Sequence, residues 1–146
     1  MRLARLELER RGAILIVVDS DGEPPCQIGP SLLSRASRTA PDVNVGVVLA
    51  HREFEAWFLA SAESLRGHRG LPPDLTGPLD PESIADAKGW LRDRMPRGRR
   101  YRETQDQPAF AARFDLQAAR RVGSFDKCYR EVERLVRGLV EARDAT

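Results

Sequence analysis

Ala13-Ile14-Leu15-Ile16-Val17-Val18-Asp19-Ser20-Asp21-Gly22-Glu23 is the stretch on which the reading of the fold turns. Five aliphatics in a row, Ile14 to Val18, are too short for a buried helix and rich in β-branched side chains. They read as a strand covered on both faces, the usual state in a parallel sheet. The run ends abruptly in Asp19, Asp21 and Glu23, with Gly22 letting the chain turn. Parallel α/β folds place their chemistry at the carboxyl ends of their strands. Acids crowded there repel one another unless a cation lies between them, and hard oxygen ligands suit Mg²⁺ or Mn²⁺. An isolated Asp-x-Asp is just as well a solvated acidic turn; its position after a buried strand favours the metal.

On the amino-terminal side, residues 1–11 read as a helix carrying Leu3, Leu6 and Leu8, stopped by Gly12. On the other side, Pro24-Pro25 stiffens a loop before a helix over 28–39 with Ile28, Leu32, Leu33 and Ala36 on its apolar stripe. Pro41-Asp42 ends that helix, and Val43 to Ala50 supplies a second β-branched strand. Strand, helix and strand in that order form one right-handed βαβ crossover.

A helix is expected directly off the second strand, with Phe54, Trp57, Phe58, Ser61 and Leu65 at helical spacing as core. Glu53 and Glu55 fall in its first turn, at the same sheet end as Asp19 and Asp21. The helix dipole favours a carboxylate there in any case, and one of the two is also the natural third acid of a metal site. His51 has the position of a general base, although a capping or surface role is commoner for such a histidine.

Residues 67–81 are rich in Gly and Pro and read as a loop, followed by a helix from Asp80 or Pro81 with Ile84, Ala87, Lys88 and Leu91 inward. Six arginines then fall between Arg92 and Arg102. A Gly-containing loop with that charge is either solvated surface or a clamp for a phosphate backbone, with Arg97, Arg99, Arg100 and Arg102 as its contacts. Thr104 to Phe114 reads as a short helix, Asp115 as the cap of another, and Ser124 as the cap of a long one. That last helix lines up Phe125, Tyr129, Val132, Leu135, Val136, Leu139 and Val140, either as core or as a seam between copies.

The 146 residues make one domain with room for a core, and charged residues at 32% exclude a membrane-spanning chain. Cys26 and Cys128 have neither metal-motif spacing nor a disulfide framework, so a reducing cytoplasm is expected. A net charge of +2 excludes a generic polyanion binder. An aspartyl-phosphate enzyme would also use an acidic strand end. It needs a Lys and a Ser or Thr on later strand ends, and no strand is read after residue 50.

Five segments together resemble the bacterial domain-of-unknown-function family 4276, whose members are Toprim-like. They are VVDSDGEPPCQIGPSLL, VVLAHREFEAWFLASAESLRG, DPESIADAKGWLRDRMP, TQDQPAFAARFDL and SFDKCYREVERL. The resemblance implies a small parallel sheet flanked by helices, with a helical carboxyl-terminal half, whose acids hold Mg²⁺ to cut or rejoin a nucleic-acid phosphodiester. Asp19 and Asp21 match the family's Asp-x-Asp, and Glu55 the acid of its Glu-Ala-Trp element. It further implies a neighbouring AAA- or ABC-type ATPase and a place in anti-phage defence. Toprim domains open with a strand ending in a glutamate, and nothing in residues 1–12 matches it, Glu7 and Glu9 included. The expectation is therefore an amino-terminal truncation and a weakly active or inactive chain. The alternative is a binding or regulatory subunit that docks its last helix onto the ATPase or onto a second copy.

Overall fold

The computed structural model describes residues 12–144; the helix read over 1–11, with Glu7 and Glu9, lies outside them. The molecule is α/β, with a two-stranded parallel sheet, flanking helices and a helical carboxyl-terminal half, as expected. Strand β1 (Ala13–Asp19) runs beside β2 (Asn44–Ala50), with Ala13 opposite Asn44 and Asp19 opposite Ala50. Helix α1 (Pro25–Thr39) joins them, starting three residues earlier than its apolar stripe predicts. Pro25 occupies its first turn, where the missing N–H costs nothing.

The two strands differ in burial. Val45 and Val47 to Ala50 of β2 are buried, whereas Val17 and Val18 of β1 are 37% and 36% exposed. The expectation that β1 is covered on both faces fails here. Among the described residues each strand pairs only with the other, so the difference lies in what covers their faces. An unbroken aliphatic run tells that a strand forms, and leaves open whether both faces are covered.

One face of the sheet packs on α1, burying Ile14, Ala36, Val45, Val47 and Leu49 together. The other meets the long carboxyl-terminal helix, Gly123–Asp144. Arg134 of that helix donates to Asn44 Oδ1 (3.0 Å) and to the Val45 carbonyl (3.0 Å), fixing the helix against the start of β2.

Between these parts the chain is mostly irregular. The helix expected off β2 shrinks to α2 (Ala56–Ala60), followed by 3₁₀ turns at Ala62–Leu65 and His68–Gly70. The helix expected from Asp80 or Pro81 is split into a 3₁₀ turn, Pro81–Ser83, and α3 (Ala87–Arg92). Then come α4 (Glu103–Ala111), α5 (Leu116–Ala119) and α6, the long helix. Asp115 caps α5 as predicted, accepting from the N–H groups of Gln117 (2.8 Å) and Ala118 (3.1 Å). Ser124 does not cap α6, because the helix already begins at Gly123; its Oγ instead accepts the Trp57 indole N–H at 2.7 Å.

Aromatic side chains hold this irregular half. Phe58 packs edge-on against Phe54 (5.2 Å between ring centres), Phe110 (5.6 Å) and Phe114 (5.8 Å). Arg121 adds a polar staple, its three guanidinium nitrogens donating to the carbonyls of Ala60, Leu79 and Pro78.

Candidate functional site

The site is built where β1 and β2 end side by side. The ladder runs one residue past the strands, the Ser20 N–H donating to the Ala50 carbonyl at 3.0 Å. Buried Ser20 then accepts the Arg52 N–H at its hydroxyl (2.9 Å), while Asp21 N–H donates to the Arg52 carbonyl (3.3 Å). Both turns are left-handed there: Asp21 has φ 48°, Gly22 has φ 85° and Arg52 has φ 62°. Gly22 takes that conformation freely, and an aspartate tolerates it. Arg52 is the strained one, and such strain clusters at working sites.

Asp19 is half-buried and accepts the Phe54 N–H at Oδ1 (2.7 Å). Burial raises its pKa above the ordinary aspartate value; the Phe54 N–H and Lys88 oppose the rise, while Asp21 and Glu53 add to it. Asp19, Asp21, Glu53 and Lys88 therefore share one electrostatic neighbourhood. Asp21 and Glu23 are exposed.

Glu53 and Glu55 face different ways, because the chain turns tightly there: the Ala56 N–H donates to the Glu53 carbonyl at 3.1 Å and Glu55 is already helical, with φ −62° and ψ −21°. Glu53 Oε2 accepts the N–H groups of Ala87 (2.7 Å) and Lys88 (3.1 Å), so it tethers the start of α3 to the sheet end. Glu55 is fully buried. Its Oε1 takes hydrogen bonds from Tyr101 Oη (2.9 Å) and Gln107 Nε2 (2.8 Å), and its Oε2 is buried with no partner among the described residues. Burial, then the charge of Glu55, pushes the Tyr101 hydroxyl far above its usual pKa, so it remains a donor. Glu53 and Glu55 both act electrostatically on Lys88.

The three inner acids thus follow one pattern. Each gives one oxygen to the protein and keeps one clear of hydrogen bonds among the described residues. No three His, Cys, Asp or Glu side chains among those residues lie close enough to hold a metal ion unaided. Mg²⁺ does not require such a cage; it retains several waters and takes one or two carboxylates plus a phosphate. The free oxygens of Asp19 and Glu53 suit that mode of binding, whereas the Oε2 of Glu55 is sealed in the core.

The arginine segment divides by role. Arg99 is committed inward: its Nη2 pairs with Asp106 at 2.7 Å and its Nη1 donates to the Arg69 carbonyl. Arg69 pairs with the same Asp106 oxygen at 2.6 Å, and the Arg102 N–H donates to Oδ2 at 2.7 Å. Burial would raise the Asp106 pKa, but the Arg102 N–H and the two guanidinium groups outweigh it and hold it low. Around this core lies a cavity of about 600 Å³ lined by Arg69, Arg99, Arg100 and Arg102, among others. Arg97 is exposed and lines neither this cavity nor the smaller one beside it. That second cavity, of about 320 Å³, is lined by Lys88, Arg92, Tyr101, Arg102, Glu103 and Thr104. Arg102 lines both, so the two adjoin.

Lys88, Arg69 and Asp106 carry no functional signal in the sequence. Lys88 sits on an apolar helical stripe, and Arg69 lies in a loop thirty residues before its partner Arg99. One hint was available: Lys88 is one of two lysines in a chain whose other basic residues are arginines.

Residues 2–133 match the family described as Domain of unknown function (DUF4276), and the chain belongs to that family. No curated protein and no solved structure matches it. Among the described residues no helix is long and apolar enough to cross a membrane.

Proposed function

We propose that this member of the DUF4276 family is a Toprim-like, Mg²⁺- or Mn²⁺-assisted phosphodiester module acting on nucleic acid. One juxtaposition supports the reading. Lys88 lines the small basic cavity and at the same time lies in the field of Asp19, Glu53 and Glu55. An acidic strand end is thereby joined through a single side chain to an arginine-lined surface. A phosphodiester needs both: cations along its backbone, and oxygen ligands for a metal at the bond that reacts.

The chain's own residues divide the work. Asp19 and Glu53 are oriented by the Phe54, Ala87 and Lys88 N–H groups, leaving one oxygen each for a cation. Asp21 adds negative charge from the exposed turn. Arg100 and Arg102 hold the phosphate backbone, with Arg99 and Arg69 locked behind them by Asp106. A bound Mg²⁺ would supply charge to polarise a phosphoryl oxygen and a water of lowered pKa. In a bacterial cell the partner expected of such a module is an ATPase, and the setting a defence against phage. Incubating plasmid with Mg²⁺ or Mn²⁺ and either the wild type or Asp19→Ala tests the reading. Loss of nicking in the variant supports it; equal nicking by both overturns it.

A second reading, a non-catalytic binding or regulatory subunit, has its own observation. Val132, Val136, Leu139 and Val140 on α6 are between 38% and 53% exposed, as a stripe rather than singly. Size-exclusion with light scattering, alone and with the neighbouring ATPase, tests it. A monomer that ignores the ATPase counts against it.

A further inference from the structure

The 320 Å³ cavity contains an acid that can leave. Lys88, Arg92 and Arg102 line it, and Arg92 is itself paired with the exposed side chains of Asp93 (3.1 Å) and Asp86 (4.0 Å). The Lys88 ammonium is held by Glu103 Oε1 at 3.0 Å, and the Glu103 side chain is 55% exposed. Glu103 is the first residue of α4, and among the described residues its carboxylate has no other ion pair or hydrogen bond. In the larger cavity the acid is Asp106, 1% exposed and tied to two guanidinium groups and a backbone N–H. That one is a permanent part of the wall.

We propose that the small cavity is a phosphate subsite, and that Glu103 is its latch. In the free chain Glu103 lends its carboxylate to Lys88; an incoming phosphate of a nucleic-acid backbone takes that place and sets Glu103 free. This rests on the proposed phosphodiester function and specifies where one phosphate is held.

The energetics favour the exchange. A half-exposed pair of flexible side chains is worth little, since water screens it and holding both chains costs entropy. A phosphate meets Lys88, Arg92 and Arg102 together and offers charge-assisted hydrogen bonds to each. Lys88 stays charged for the purpose: its bond to Glu103 raises its pKa, burial opposes this, and Glu55 and Glu53 raise it further. Tyr101 adds a neutral wall, since its hydroxyl is committed to Glu55.

The test is a double-mutant cycle read by fluorescence anisotropy of a labelled oligonucleotide in EDTA at low salt, with inorganic phosphate as competitor. Glu103→Gln is expected to tighten oligonucleotide binding about threefold, and Lys88→Met to weaken it about tenfold. The double variant should bind no more tightly than Lys88→Met, because the latch acts only through Lys88. Inorganic phosphate should compete more strongly against Glu103→Gln than against the wild type. The latch is overturned if Glu103→Gln binds no better than wild type. It is equally overturned if the double variant keeps the full gain, since Glu103 would then act only through net charge. Glu133→Gln, an exposed acid on α6, calibrates that general effect. Because these measurements contain no metal and no cleavage step, they can fail while nicking survives, or succeed where nicking is absent.

Discussion

The two halves of this molecule invert the usual link between regular structure and burial. The sheet half has the clearest elements, yet Val17 and Val18 of β1 and four residues of α6 are left partly in solvent. The half between residues 52 and 114 has short helices and 3₁₀ turns, yet it holds Phe58, Leu59, Leu65, Leu91 and Phe110 at or near zero exposure. It also buries Glu55 and Asp106, which a core tolerates only when they are bonded. Periodicity therefore marks which elements form here, and non-local aromatic and ionic contacts decide which part is sealed.

The contrast makes unequal demands on substitutions. The largest effect should come from Phe58→Ala, which removes a ring meeting three others and should cost about 4 kcal/mol in a urea titration. A cost below about 1 kcal/mol would mean that the irregular half is looser than its burial implies.

Next is Asp106→Ala, expected to cost about 3 kcal/mol by stranding Arg69 and Arg99 around an emptied carboxylate. Its pH signature follows from the low pKa of Asp106. With the folded value held below the ordinary 3.8, the stabilisation is complete above 3.8 and is lost as pH falls through the folded value. The penalty of the variant should therefore shrink in acid and stay constant from pH 5 to 8. A penalty that grows on acidification would contradict the assignment.

Glu55→Gln works in the opposite direction. The amide oxygen can still accept from Tyr101 and Gln107, and the unpartnered buried charge is gone. Stability should rise by about 1 kcal/mol, marking a carboxylate kept at the expense of the fold. If stability falls instead, Lys88 already compensates the charge.

Val136→Ser on α6 should be nearly silent, within about 0.5 kcal/mol for the isolated chain, since the side chain is 53% exposed. A larger loss that depends on protein concentration would show that the stripe is covered in solution.

The same division explains what was legible in the sequence. Both strands, α1, the cap at Asp115 and α6 rest on local signals, a β-branched run, a helical period or a capping side chain, and these were readable. The exposure of Val17 and Val18 was not, because Ile14 to Val18 look alike whether one face is covered or both. Glu53 and Glu55 were placed correctly at the sheet end, but as members of one helical turn. The chain turns at Glu53 and enters α2 only after Glu55, and this sends Glu53 to the start of α3 and Glu55 into the core. Lys88 and Asp106 were invisible as site residues because their partners, Glu103, Arg69 and Arg99, come from elsewhere in the chain.

The central claim is that the acidic strand end and the arginine surface serve one phosphodiester. Anisotropy of a labelled oligonucleotide, titrated with and without Mg²⁺ for the wild type and Asp19→Asn, tests it most directly. The account predicts that Mg²⁺ tightens binding by the wild type about tenfold, and that Asp19→Asn keeps its metal-free affinity while losing that increment. An affinity indifferent to Mg²⁺ in the wild type, or an equal increment in both proteins, would contradict it.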